Sequence, residues 1–99
     1  MIKQVVVFSF ADATPPERRR QVLDGLNRFP AWFPQIKSWS LGRNVSRRDD
    51  RYQYGFVAEF ESMDALNEYL AHPQHESFVS EQFRPAIAHR SIVTLSGDV

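Results

Sequence analysis

A chain of 99 residues has room for one domain, expected here over 1–99, but hides a smaller share of its surface than a longer chain, so apolar area covered by a second copy would matter. Twelve Lys and Arg balance twelve Asp and Glu, which leaves no net field to hold a phosphate backbone or anionic lipids and argues against nucleic-acid and membrane partners. With no cysteine there is neither a disulfide framework nor a thiolate nucleophile, which fits a reducing, cytoplasmic setting.

The opening MIKQVVVFSF carries one basic residue, an apolar run too short to span a bilayer and no small-residue cleavage site, so no membrane segment or signal peptide is expected. Ile2 to Phe10 is dense in β-branched and aromatic residues and predicts a strand. Its alternation puts Val6, Phe8 and Phe10 on one face and Val5 and Val7 on the other, so both faces are apolar. In TPPERRRQVLDGLNRF, Thr14 with Glu17 makes a capping-box pattern and Pro15 suits the first helical position. Val22, Leu26 and Phe29 recur at helical spacing, joined by Leu23. Arg18, Arg19 and Arg20 point in successive directions around this helix and read as a solvated surface. Pro30 and Pro34 close it and bracket Trp32 and Phe33, which are expected to pack beneath the loop.

Ile36 to Val45 predicts a second strand with Trp39 and Leu41 inward, and SRRDDR a solvated turn. Tyr52 to Phe60 predicts a third strand, with Tyr54, Phe56, Ala58 and Phe60 on one face and Val57 opposite. Ser62 suits the cap of a helix reaching about Ala71, whose Met63, Leu66 and Leu70 share a face. Pro73 opens a second helical segment to about Phe83, where Arg84-Pro85 stops it, and Arg90 to Ser96 is the last strand. The order β-α-β-β-α-β predicts an α+β, ferredoxin-like fold: a four-stranded antiparallel sheet with helices on one face, its second helix broken at Pro73. Helices cover only one face of so small a sheet. The apolar residues on the other face therefore predict a homodimer with two sheets face to face.

The stretch EYLAHPQHESF concentrates the residues suited to acid–base work. His72 precedes proline, which biases it towards an N-cap conformation. His75 then takes the third helical position, where unpaired N–H groups and the positive end of the helix dipole disfavour imidazolium. A neutral ring there is able to accept a proton near pH 7. Tyr69, in the last turn of the preceding helix beside Leu66 and Leu70, points partly inward. The competing reading makes His75 a packing residue and turns the Tyr69 hydroxyl to water. His72 and His75 with Glu68 and Glu76 are ligand-type groups, but the proline break splays the two imidazoles and no third ligand is fixed, so no metal site is expected. The sequence has neither a Gly-rich phosphate loop nor a serine in a nucleophile-elbow pattern.

MIKQVVVFSF, LGRNVS, FVAEFES and YLAHPQHESFV with the later FRP, in this order and spacing through nearly the whole chain, resemble the stress-responsive A/B barrel (Dabb) family. The HPxHxxFV segment is the most telling part. The resemblance implies a ferredoxin-like homodimer whose sheets pair into a dimeric α/β barrel. From a polyketide cyclase of that family it implies a tyrosine–histidine pair in a pocket between the sheet and the helices of one subunit. Those roles fall on Tyr69 and His75: the histidine removes a proton next to a carbonyl and the tyrosine hydroxyl holds the developing oxyanion. Neither step needs a metal or a cofactor. Where that cyclase has a pocket histidine on the first strand this chain has Gln4, which hydrogen-bonds but cannot titrate. Val6, Phe8, Tyr54, Phe56, His72 and Phe78 complete the expected lining, around a small apolar or aromatic ligand of β-keto or phenolic type. A cofactor-free cyclase, lyase or isomerase is one reading, and a non-catalytic, ligand-binding or stress-protective dimer is the other. The cofactor-free monooxygenases that share the dimeric fold are a third, without the support of the HPxH segment.

Overall fold

The computed structural model describes residues 1–97; residues 98 and 99, the end of the expected domain, lie outside the described residues. The chain folds as β1 (Ile2–Phe10), α1 (Pro16–Asn27), α2 (Phe29–Trp32), β2 (Ser38–Arg43), β3 (Tyr54–Phe60), α3 (Met63–Ala71), α4 (Pro73–Phe78), a π-helical turn (Val79–Phe83), α5 (Arg84–Ala86) and β4 (Ile87–Ser96). The four strands form one antiparallel sheet in the order β2-β3-β1-β4. This is the ferredoxin-like α+β arrangement expected from the sequence.

β1 occupies the middle of the sheet, consistent with its two apolar faces. Val6 lies opposite Phe56 and Ile92, and Val5 opposite Val57 and Val93. Paired residues share a face, so the period of two sorts the sheet into two surfaces. On the helix side Val6, Phe8, Phe10, Phe56, Ala58 and Phe60 are buried with Val22 and Leu26 of α1 and Leu66 of α3. On the other side Val5, Val7 and Val57 are half-buried, while Val93 and Leu95 are 51% and 46% exposed.

Local chemistry sets most boundaries. Ser62 starts α3 by accepting the Ala65 N–H at 3.1 Å, as a helix cap should. The inward stripe of α3 is Leu66 and Tyr69 rather than Met63, which is exposed. α1 begins one residue later than expected, because Pro15, itself before a proline, takes an extended conformation. Thr14 does not cap that helix; its hydroxyl donates to the Ala86 carbonyl at 3.0 Å and ties the start of α1 to the end of α5. Pro30 falls in the first turn of α2 instead of ending a helix.

Arg84-Pro85 likewise does not stop the C-terminal helical run. The π-helical turn resets the backbone ladder, so that Pro85 lands in the first turn of α5, where a missing N–H costs little. β2 is shorter than expected, and β4 starts three residues earlier.

Candidate functional site

The break between α3 and α4 gives the two histidines different environments. His72, extended with φ −63° and ψ 130°, closes α3 and opens α4. Its Nδ1 accepts the Gln74 N–H at 3.1 Å, and its ring meets Phe33 edge-on at 5.2 Å. That ring is committed to capping. His75, the third residue of α4, instead lies tilted against the Tyr69 ring, with centroids 4.5 Å apart. Its Nδ1 is buried without a hydrogen-bond partner among the described residues.

Burial lowers the pKa of His75, with a smaller push in the same direction from His72. The Leu70 backbone and the Glu76 carboxylate favour the charged ring and work against that shift. Tyr69 is only 1% exposed, held by Phe33 and Phe60 at ring distances of 5.1 and 5.0 Å. Burial raises its pKa, so the phenol stays protonated. The Tyr69 hydroxyl makes no hydrogen bond among the described residues.

Both residues line a cavity of about 190 Å³ between the sheet and the helices. Gln4, Val6 and Phe56 form its sheet side, and Leu26, Phe29 and Phe78 its helix side. The Thr94 hydroxyl donates to Gln4 Oε1, which leaves the Gln4 amide nitrogen as the group free to donate. Towards β4 the lining passes to Arg84, Arg90 and Ile92, all exposed. The cavity opens there. A wider outer groove of about 620 Å³, bounded by Pro73, Glu76 and Ser80, shares Leu70, His75, Val79 and Arg84 with it. His75 therefore stands where cavity and groove meet.

The chain matches, over residues 2–96, the family model described as the stress responsive A/B barrel domain. It belongs to the stress-responsive A/B barrel family. The stress-response A/B barrel domain-containing protein HS1 of Arabidopsis thaliana is 31% identical over 81 residues, 80% of this chain and 74% of that protein. Olivetolic acid cyclase of Cannabis sativa is 23% identical over 79 residues, 78% of each chain. Among solved structures, a dimeric ferredoxin-like protein of Thermobifida fusca matches with a TM-score of 0.82 at 25% identity, covering 96% of this chain and 89% of that one.

In this A/B barrel chain the cavity gathers Gln4, Val6, Phe56, Tyr69, His75 and Phe78 from the expected site. It does not gather Phe8, Tyr54 or His72. Phe8 has the right face of β1, but Phe83 covers it at 5.1 Å and Tyr54 stacks on it at 5.7 Å, so both rings belong to the packed core beyond the cavity's end. Trp32 and Phe33 pack beneath α2 against Phe29, with Phe33 fully buried.

The arginines at the open side went unread in the sequence. Alternation in the last strand was the available signal, since it puts Arg90 and Ile92 on the face opposite Val93. Among the described residues no group of three or more His, Asp or Glu side chains is placed to hold a metal ion. No helix of the described residues is long and apolar enough to cross a membrane.

Proposed function

We propose that this A/B barrel protein is a cofactor-independent acid–base enzyme of cyclase, lyase or isomerase type, acting on a small β-keto or phenolic compound. The observation that carries this reading is the Tyr69–His75 pair, which brings a phenol and a buried, unpartnered imidazole nitrogen to a cavity otherwise mostly apolar. Folding leaves a nitrogen such as His75 Nδ1 unsatisfied at a cost, and a ligand that pairs with it recovers that cost. In the reaction, neutral His75 takes a proton from the carbon next to a carbonyl, and the electron pair moves onto the carbonyl oxygen. The Tyr69 O–H and the Gln4 amide donate to that oxygen.

The volume bounds the substrate. A dry cavity of roughly 150 Å³ holds benzene, so about 190 Å³ suits one ring or its uncyclised equivalent, and a longer substrate must extend into the adjoining groove. Similarity to olivetolic acid cyclase supports the reaction class, not the substrate. We further infer that one domain spanning 1–99 works as a homodimer joined through the uncovered sheet face, in the cytoplasm, a setting the cysteine-free sequence fits.

The second reading, a non-catalytic dimer that binds or protects a small ligand, is favoured by Gln4, which supplies no titratable group where the cyclase resemblance expects one. Proton–deuterium exchange at the carbon between the carbonyls of small β-keto esters, followed by NMR, separates the two. Catalysed exchange that falls about a hundredfold or more in His75→Gln, and also falls in Tyr69→Phe, is expected. Binding with no exchange by the wild-type protein hands the site to the second reading.

A further inference from the structure

Arg84 and Arg90 reach the open side of the cavity from different elements, one from α5 just past the π-helical turn and one from β4 opposite Phe8. Neither guanidinium has a hydrogen bond or ion pair among the described residues. Arg18 is tied to Gln82, Arg19 to the Thr14 carbonyl and Arg51 to Asp49. Arg20, Arg28, Arg47 and Arg48 have no such side-chain bond among the described residues, so what sets Arg84 and Arg90 apart is their place on the cavity lining. Glu76 borders the same outer groove as Arg84 without pairing to it. In a chain whose formal charges sum to zero, two unpaired cations therefore converge on one cavity mouth. A guanidinium presents a planar fork of donors that matches a carboxylate.

We propose that the natural ligand is a carboxylic acid in its anionic form, an aromatic or β-keto acid whose carbon skeleton enters the cavity while Arg84 and Arg90 hold its carboxylate at the mouth. This rests on the reading of the cavity as the ligand site. Desolvation sets the orientation: a carboxylate pushed inward would lose its water among Phe29, Phe56 and Phe78 without a cation to replace it. The skeleton goes in first, towards Tyr69 and Gln4, and passes His75 where cavity and groove meet. Arg84 also borders the outer groove, so a substituent beside the carboxylate has a path outward.

The test titrates the full chain with benzoate and with its neutral counterpart benzamide by isothermal calorimetry at low and high salt. Benzoate is expected to bind about tenfold more tightly, as a charge-assisted pair outweighs a neutral one, and added salt should weaken benzoate alone. The double variant Arg84→Gln with Arg90→Gln changes two exposed side chains that hold nothing in the fold. It should lose the preference and keep its benzamide affinity. Equal binding of both probes by the wild-type protein, or a preference that survives the double substitution, overturns the proposal. Binding of neither probe overturns it together with the cavity reading. An arginine-dependent preference in a protein that catalyses no proton exchange upholds it and removes only the catalytic reading.

Discussion

Tyr69 and His75 each leave a mark on stability that a purely structural residue would not. The Tyr69 hydroxyl is an unpaired donor on a side chain at 1% exposure, so Tyr69→Phe removes a group that folding gains nothing from. That variant is expected to melt at the same temperature as the wild-type protein or up to a few degrees higher, while its ligand affinity falls. A loss of several degrees in a calorimetric melt would show that the hydroxyl has a structural partner. For His75, burial holds the folded-state pKa below the unfolded value of about 6.5. As pH falls through that value the unfolded chain takes up a proton that the folded chain resists, so stability drops on the acid side. His75→Gln lacks this proton. Urea unfolding at about pH 7.5 and about pH 5 should show the variant losing less stability than the wild-type protein, and equal losses would place His75 in water. The division of labour between the histidines was legible, because a proline after His72 settles the backbone at both positions. Arg84 and Arg90 were not, since nothing local brings a helical residue and a strand residue to one opening.

At the scale of elements, the cavity depends on how closely α1 approaches α4. A Cβ added at Gly25 would lie 2.3 Å from Phe78 Cε2, so glycine at this helical position lets the edge of the Phe78 ring come up against α1, where the ring forms a cavity wall. Gly25→Ala gains about 1 kcal/mol of helix propensity but forces that ring aside, and overpacking costs about 1 to 3 kcal/mol. The expected result is a protein of similar or lower stability, by up to about 2 kcal/mol, with weakened benzamide binding because the displaced ring takes cavity space. Phe78→Leu in the same chain should restore much of the stability, a non-additivity that denaturant titration of the four proteins would detect. Unchanged binding in Gly25→Ala would mean that the ring moves away from the cavity. Elements were legible where one residue type decides them, as at Ser62 and Pro73. They were misread where prolines cluster. The Pro15-Pro16 pair shifts the start of α1, and Pro85 falls in a first turn that exists because the π-helical turn precedes it. The π-helical turn ends at Phe83, whose ring packs on Phe8, and five residues leave no period of their own to read.

At the scale of the molecule, the sheet has one covered face and one that is apolar at its centre and uncovered. The alternation in β1 and β3 made this legible, and the register Val57–Val5–Val93 joins those residues into a row across three strands. A homodimer in solution is the expected state, and Val93→Asp should convert it to a monomer by light scattering at micromolar concentration, because pairing the two sheets would strip water from a carboxylate set in an apolar row. A monomeric wild-type protein, or a variant that stays dimeric, would remove the face-to-face assembly. β4 carries the two surfaces in alternation: Arg90 and Ile92 belong to the cavity mouth, and Val93 and Leu95 to the uncovered face. Even and odd positions of one strand thus offer separate handles to an engineer, ligand choice on one parity and subunit pairing on the other. An insertion of one residue before Arg90 would exchange them, pointing valine into the cavity and a guanidinium into the partner, so this strand accepts substitutions far more readily than changes of length.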